Sequence, residues 1–180
     1  MSEEVRVEEQ MYNAVTKGDL PAFERLLNEH PELFRYPDGR CMWLSDAASA
    51  GQLEIVKFLV GRGADVNEPA DLDSVPSPEN VVKRAAARGH VHVVEWLLDQ
   101  GAELNYTIGD QVRCEALTGA AYRGHLSVVQ LLAERGAALN CYWAETTPLD
   151  HAINGGDEEV VQYLRLLGAK TYEELEEFLK

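Results

Sequence analysis

The stretch Ala85-Ala86-Ala87-Arg88-Gly89-His90-Val91-His92-Val93-Val94-Glu95-Trp96-Leu97-Leu98-Asp99-Gln100-Gly101 decides the fold, because its outline returns along the chain. Gly18, Gly51, Gly89, Gly124 and Gly156 each have an alanine four residues upstream: Ala14, Ala47, Ala85, Ala120 and Ala152. In the last four copies a β-branched pair begins four residues downstream, as Ile55-Val56, Val93-Val94, Val128-Val129 and Val160-Val161. The glycines are 33, 38, 35 and 32 residues apart. Self-similarity at such a period marks a solenoid, whose units cannot bury their apolar faces alone and do so against their neighbours. A stack of this kind offers one long contact surface rather than an enclosed pocket.

Within the quoted region, Val81 to Arg88 reads as a first helix. Gly89 ends it, since glycine accepts the left-handed backbone of a helix C-terminus. Val91 to Gln100 reads as a second helix, with Val93, Val94, Leu97 and Leu98 in an i, i+1, i+4, i+5 stripe. Gly101 closes that helix, and Gly63, Gly136 and Gly168 close its counterparts, each 12 residues after its repeat glycine. The first-helix alanines are short enough for neighbouring helices to approach closely, where a leucine would overpack the contact.

Gly63-Ala64-Asp65-Val66-Asn67, Gly101-Ala102-Glu103-Leu104-Asn105 and Gly136-Ala137-Ala138-Leu139-Asn140 resemble the loop phrase of ankyrin repeats. Thr147-Pro148-Leu149-Asp150-His151-Ala152 is similar to the phrase that opens a repeat in that family, with aspartate where histidine is usual. The other copies keep Leu44 with Ala47, Val82 with Ala85 and Leu117 with Ala120. The resemblance covers roughly residues 8–170. It implies an all-α, ankyrin-type solenoid of five helix-turn-helix repeats with projecting finger loops, in a small, complete protein of a bacterial kind. The repeats fall at approximately 5–37, 38–70, 76–108, 112–144 and 145–170, followed by a C-terminal capping helix over 171–179, all within one domain of 1–180.

The two ends read as caps. Val5 to Thr16 forms the first helix, and Asp19-Leu20-Pro21 opens the second with an N-cap and an early proline. Pro31 stops it. Thr171-Tyr172-Glu173-Glu174 is a capping box for a final helix through about Phe178, whose Leu175 and Phe178 are expected to cover the last unit. Between Asn67 and the third unit, the connection from Glu68 to Glu79 is the longest and carries Pro69, Pro76 and Pro78, so it is expected to project. Ser77-Pro78 then opens the next helix as N-cap and N1.

Among the 180 residues, 31 acidic side chains oppose 16 basic ones, a formal net charge of −15. Such a surface repels nucleic-acid phosphates and anionic membranes, so neither is expected as a partner. No stretch approaches the ~20 apolar residues that span a bilayer. The N-terminus lacks a basic segment followed by an apolar one, so a cytoplasmic location is expected. Cys41 and Cys114 precede the first helices of the second and fourth units, two layers or about 20 Å apart at roughly 8–10 Å per layer. That exceeds the reach of a disulfide. With Cys141 in the next loop, reduced thiols are expected.

Chemistry finds little purchase. His90 and His92 lack a further ligand set at usable spacing, so no metal is expected. Gly61-Arg62-Gly63 ends a helix instead of preceding one, unlike a phosphate-binding loop. Ser45 and Asp46 have no histidine beside them in the repeat plan, and the cysteines lie in loops without a base. Neither catalytic residues nor a cofactor is expected, and an enzymatic or small-molecule role would need a closed pocket that the plan does not provide. The asparagines Asn67, Asn105 and Asn140 recur with the loop and are expected to hydrogen-bond turn backbone.

Binding is better supported. Tyr36, Tyr106, Tyr142 and Trp143 lie in the fingers, and Tyr122 ends a first helix, a position that the resemblance turns toward the groove. Tyrosine and tryptophan give large contact area with few rotors. Trp43, in place of the opening proline, is expected to be half-buried, whereas Trp96 and Tyr163 pack between units. The fingers 36–42, 68–79, 106–115 and 141–147 hold eight acidic residues, including Asp38, Asp71, Asp73, Asp110 and Glu145, against Arg40 and Arg113. Lys17, Arg88 and Arg123 precede their repeat glycines, where the helix dipole favours cations. The expected function is non-catalytic binding of another protein with a basic surface, by a chain that is monomeric when free. Inhibition of the partner, as by an immunity or antidote protein, is the concrete form. The alternative is an adaptor or scaffold joining two proteins.

Overall fold

The structure, a computed structural model, describes residues 3–35, 41, 43–67, 81–108 and 110–178. Its helices come in pairs: α1 (Glu3–Lys17) with α2 (Leu20–Glu29), α3 (Leu44–Ser49) with α4 (Leu53–Gly61), and α5 (Val81–Ala87) with α6 (Val91–Asp99). Then follow α7 (Glu115–Tyr122) with α8 (Leu126–Glu134), α9 (Pro148–Gly155) with α10 (Glu158–Leu166), and a final α11 (Tyr172–Phe178). The first helices α1, α3, α5, α7 and α9 contact one another in chain order, and α4, α6, α8 and α10 form a second row. Among the described residues the one sheet is a hairpin, β1 (Tyr106–Ile108) with β2 (Gln111–Arg113).

The repeated phrase has a direct physical meaning. In the third unit the residue after the repeat glycine donates its N–H to the carbonyl of the upstream alanine, His90 to Ala85 at 3.1 Å. Gln52 to Ala47 and His125 to Ala120 repeat the bond at 2.9 and 3.0 Å. This is the closing bond of a left-handed helix end, and Gly89 sits there at φ +80°. Second helices finish in the same way, Ala102 bonding Leu97 at 3.0 Å and Ala137 bonding Leu132 at 2.9 Å. Every alanine of the phrase is buried, and Ala47, Ala85, Ala120 and Ala152 are fully so.

Two ladders fasten unit to unit. In the second, third and fourth units the side chain after the repeat glycine reaches back to a carbonyl two residues before the preceding repeat glycine. Gln52 Nε2 lies 3.1 Å from Thr16 O, His90 Nε2 3.0 Å from Ser49 O, and His125 Nε2 3.3 Å from Ala87 O. On the loop side each recurring asparagine bridges to the next loop. Asn67 accepts from Glu103 N at 2.8 Å and donates to Gly101 O at 3.2 Å, and Asn105 accepts from Ala138 N and donates to Gly136 O, both at 2.9 Å. Asn140 repeats the pattern with Lys170 N at 2.8 Å and Gly168 O at 3.4 Å. The turn-backbone role expected of these asparagines is therefore played across units.

The core follows the two rows, with Ile55, Val56, Val93, Val94, Val128, Val129 and Val160 all buried. Trp96 and Tyr163 pack partly buried against it. Trp43 departs from the expectation of half-burial. It is fully enclosed, its Nε1 donates to Leu33 O at 2.6 Å, and its ring meets Phe23 edge-on at 6.0 Å. A satisfied indole N–H removes the reason for the ring to keep one edge in water.

At the C-terminal end Thr171 and Glu174 form the expected reciprocal cap, Glu174 Oε2 accepting from Thr171 N at 2.8 Å and Thr171 Oγ1 from Glu174 N at 3.3 Å. Arg165 also holds Glu174, keeping its carboxyl below the ordinary range. Asp150, the departure from histidine, has its own task. Its Oδ2 accepts from Thr147 N at 2.9 Å and from Tyr172 N at 2.8 Å, tying the start of α9 to the start of α11. Leu175 is half-buried, while Ile153, Leu166 and Leu167 remain exposed.

Packing at the glycines and alanines yields direct tests. Gly89→Ala should cost about 1–2 kcal/mol for the left-handed backbone and more besides, because a Cβ there falls 2.9 Å from His125 Nδ1. Gly101→Ala meets no atom within 4 Å and should cost only the backbone share. Equal losses in chemical denaturation would show that the side-chain seat contributes nothing. Ala85→Leu and Ala120→Leu should each destabilise by about 1–3 kcal/mol through overpacking, read from thermal melts against the parent.

Candidate functional site

The third finger is the β1–β2 hairpin, registered Tyr106 with Arg113, Thr107 with Val112 and Ile108 with Gln111. Side chains alternate along a strand, so Val112 faces outward and Arg113 turns inward. Arg113 is 5% exposed. Its Nη2 lies 3.1 Å from Glu115 Oε1, and Lys83 Nζ, from α5, lies 2.8 Å from Glu115 Oε2. One carboxylate at the start of α7 is thus shared by two cations.

The fourth finger is a two-residue turn. Trp143 and Thr146 exchange backbone hydrogen bonds at 3.0 Å, and the residues between them, Ala144 and Glu145, have φ of 48° and 62°. Two successive positive φ values define the tight hairpin turn usually occupied by Asn-Gly. With Ala-Glu in their place the backbone is strained, each residue costing about 1–2 kcal/mol. The turn places Trp143 over its neighbour, with the Arg113 guanidinium 3.9 Å from the indole centroid. A desolvated cation on a tryptophan face is an attractive pair of about 2 kcal/mol.

Between the third and fourth fingers, against α5 and α7, opens a cavity of about 510 Å³. Val112, Tyr122 and Trp143 supply apolar wall, and Lys83, Arg113 and Arg123 supply charge. Two neighbouring fingers of unequal length frame it as a cleft open to solvent, not a closed pocket. His151, at the start of α9, meets Tyr122 edge-on at 6.2 Å, and its Nε2 lies 3.2 Å from Thr146 Oγ1. Burial lowers its pKa below the ordinary 6.5, only partly opposed by Asp150.

Of the contact residues read from the sequence, Tyr122, Tyr142 and Trp143 all line this cavity. Tyr142 also leans on Tyr172 of α11, with ring centroids 5.5 Å apart. Tyr106 stands opposite Arg113 in the hairpin, and Asp110 and Glu145 are exposed at the finger tips. Tyr36, Asp38, Asp71 and Asp73, together with the Ser77-Pro78 helix start, lie outside the described residues. Sequence reasoning passed over Lys83, Arg113 and Glu115 as a group. The signal for the hairpin was present, since Gly109-Asp110 joins two short β-prone runs.

The cysteines require a correction. Reduced thiols were expected from the distance between Cys41 and Cys114, but the pair that meets is Cys114 with Cys141, joined as a disulfide with Cα atoms 6.3 Å apart. These residues flank adjacent fingers, one layer apart instead of two, within the usual reach of such a bond. The cysteine argument for a reducing compartment therefore falls away. Cys41 is buried.

A stack of helix pairs fastened through glycine seats and asparagine loops, with hairpin fingers along one edge, defines a helical-repeat scaffold. Family models for ankyrin repeats match residues 44–71 once and residues 82–173 as three copies. A comparison with curated proteins found no match. The chain belongs to the ankyrin repeat family, whose repeats are generally protein–protein interaction modules. No helix among the described residues is long and apolar enough to cross a membrane.

Relief of the strained turn is testable. Ala144→Asn with Glu145→Gly should raise stability by about 1–2 kcal/mol in urea denaturation; an unchanged midpoint would mean the turn holds no strain. For the cysteines, a non-reducing digest should yield a linked peptide containing Cys114 and Cys141, and reduction should cost roughly 3 kcal/mol for a loop of this length. As pH falls, the unfolded chain protonates His151 before the folded chain does, so this group contributes stability at neutral pH that is lost on acidification through its ordinary value near 6.5. Its ring resonances, followed by NMR, should titrate below that value.

Proposed function

We propose that this chain is a non-catalytic, stoichiometric binder of a protein with a basic surface, acting as an inhibitor in the manner of an immunity or antidote protein. The observation that carries the reading is a row of aromatics, exposed yet fixed. Tyr122, Tyr142 and Trp143 are 50, 38 and 48% exposed, and each leans on a partner within the chain: His151, Tyr172 and Arg113. Aromatics already held in place lose little rotamer freedom on binding, so their buried area converts well into affinity.

Charge supports the choice of partner. Arg113 is withdrawn into the structure beside Glu115, while Asp110 and Glu145 stand exposed at the finger tips. An acidic rim attracts a basic surface over about 8–10 Å at ordinary ionic strength and raises the association rate. In this reading all five helix pairs are repeats of one domain, with α1 and α2 as the first and α11 as a cap. The free chain is a monomer that works in the cytoplasm without a cofactor.

The experiment is a kinetic one on a partner isolated with the chain as bait. Replacing Asp71, Asp73, Asp110 and Glu145 by their amides should lower the association rate and flatten its salt dependence. Trp143→Ala should mainly speed dissociation, at about 2 kcal/mol or more for an interface anchor. Unchanged kinetics in the amide variant, combined with loss of binding on substitutions along 53–62 or 126–135, would place the partner on the second-helix row and overturn the reading.

A further inference from the structure

Among the described residues Arg113 is the one cation whose whole side chain is buried, and it is not fully partnered. It lines the cavity between the third and fourth fingers, and its Nη1 is closed off from water with no hydrogen-bond acceptor. Its Nη2 shares Glu115 with Lys83. Arg123, on the same cavity, has no ion-pair partner among the described residues. In a chain of net charge −15, this cavity gathers three cations around one carboxylate. Native structures seldom leave a buried charged donor unmatched, because the lost hydration is not replaced.

We infer that this cavity is a receptor for a carboxylate carried on an aromatic or apolar body. The planar fork of a guanidinium matches the two oxygens of a carboxylate, and Nη1 is the arm still open. The body has its own surface in Val112, Tyr122 and Trp143. A cationic guest meets Lys83, Arg113 and Arg123, and finds one face of the Trp143 ring already taken by Arg113. A neutral guest leaves the charge uncompensated. Trp143 covers the guanidinium from the strained two-residue turn, so a carboxylate that reaches Nη1 shifts the indole aside. The strain makes that movement easier, since leaving the turn geometry releases it. Cys114 and Cys141 tie the two finger bases together, and the pocket wall keeps its shape as the indole moves.

This inference shares Tyr122 and Trp143 with the protein-binding reading but does not rest on it, because Arg113 and the cleft carry it and its test uses small acids with no protein partner. The test is an NMR titration of the 15N-labelled chain, following its three indole N–H resonances, with Trp143→Phe assigning the relevant one. The probes are phenylacetate, its uncharged isostere phenylacetamide, and inorganic phosphate. A saturable shift of the Trp143 resonance is expected with phenylacetate and not with the other two. Arg113→Gln should weaken binding by about tenfold or more, the usual worth of a hydrogen bond to a charged group. Arg123→Gln, at an exposed position, should weaken it severalfold, and it carries the test by itself if Arg113→Gln fails to fold. A free acid and a protein chain end share this chemistry. Acetyl-Gly-Gly-Phe with a free carboxylate, compared with its C-terminal amide, separates them: tighter binding than phenylacetate assigns the site to a chain end, weaker binding to a free acid. No saturable response to either acid, an equal response to phenylacetamide or phosphate, or parent-like binding by the folded arginine variants would overturn the proposal.

Discussion

Each unit of the stack is seated on the one before it by a side chain that fills the space where the repeat glycine has no Cβ. A methyl group at Gly51 would fall 2.6 Å from His90 Nδ1, and one at Gly124 would fall 2.7 Å from Asp157 Oδ2. The same glycine must also turn left-handed to end its helix, so two separate demands select the same residue. Once the side chain is seated, His90 and His125 reach the orphan carbonyls at the end of the preceding first helix. The seat therefore sets the spacing of units and satisfies polar groups that would otherwise be buried unpaired. The rest of the architecture, fingers included, inherits its alignment from this contact.

The asparagine ladder repeats the logic on the opposite edge of each unit. A side-chain amide offers a donor and an acceptor in fixed geometry, and Asn67, Asn105 and Asn140 each spend both on the next loop. Fastened along both edges, the units form a base stiff enough to hold a conformation that is locally unfavourable. Ala144 and Glu145 sit in the left-handed region on that base. Strain of this kind persists only where the surroundings over-determine it, and it collects at sites that interact.

Charge is sorted by depth around the third and fourth fingers. Asp110 and Glu145 stand exposed at the tips, while Lys83 and Arg113 close on Glu115 beneath them. The acidic tips act over distance and are screened by salt, whereas the enclosed cations act at contact and are screened much less. One edge of the scaffold thus presents two electrostatic faces, an outer one suited to steering and an inner one suited to holding an anion.

Periodicity established the fold before any coordinate was known. The Ala-x-x-x-Gly phrase is a local device, a helix and its left-handed end, and local devices are written in adjacent residues. The helix boundaries of the repeats follow from it, the caps at Asp19 and Thr171 are written in equally local motifs, and the aromatic content of the fingers needs no more than reading. Which groups meet across units is another matter. Cys114 and Cys141 stand 27 residues apart, yet their Cα atoms are 6.3 Å apart, because fingers of adjacent units lie side by side. Arg113 looked like one more finger charge until the hairpin register turned it inward beneath Trp143. Asp150 looked like a lapse in a motif until α11 folded back and gave its carboxylate Tyr172 N to bind. The asparagines were legible as turn residues, but not as links, since their partners lie about one unit further along the chain. A repeat specifies the contacts within a unit, and stacking the units creates contacts that belong to none of them. The cavity is built entirely of the second kind.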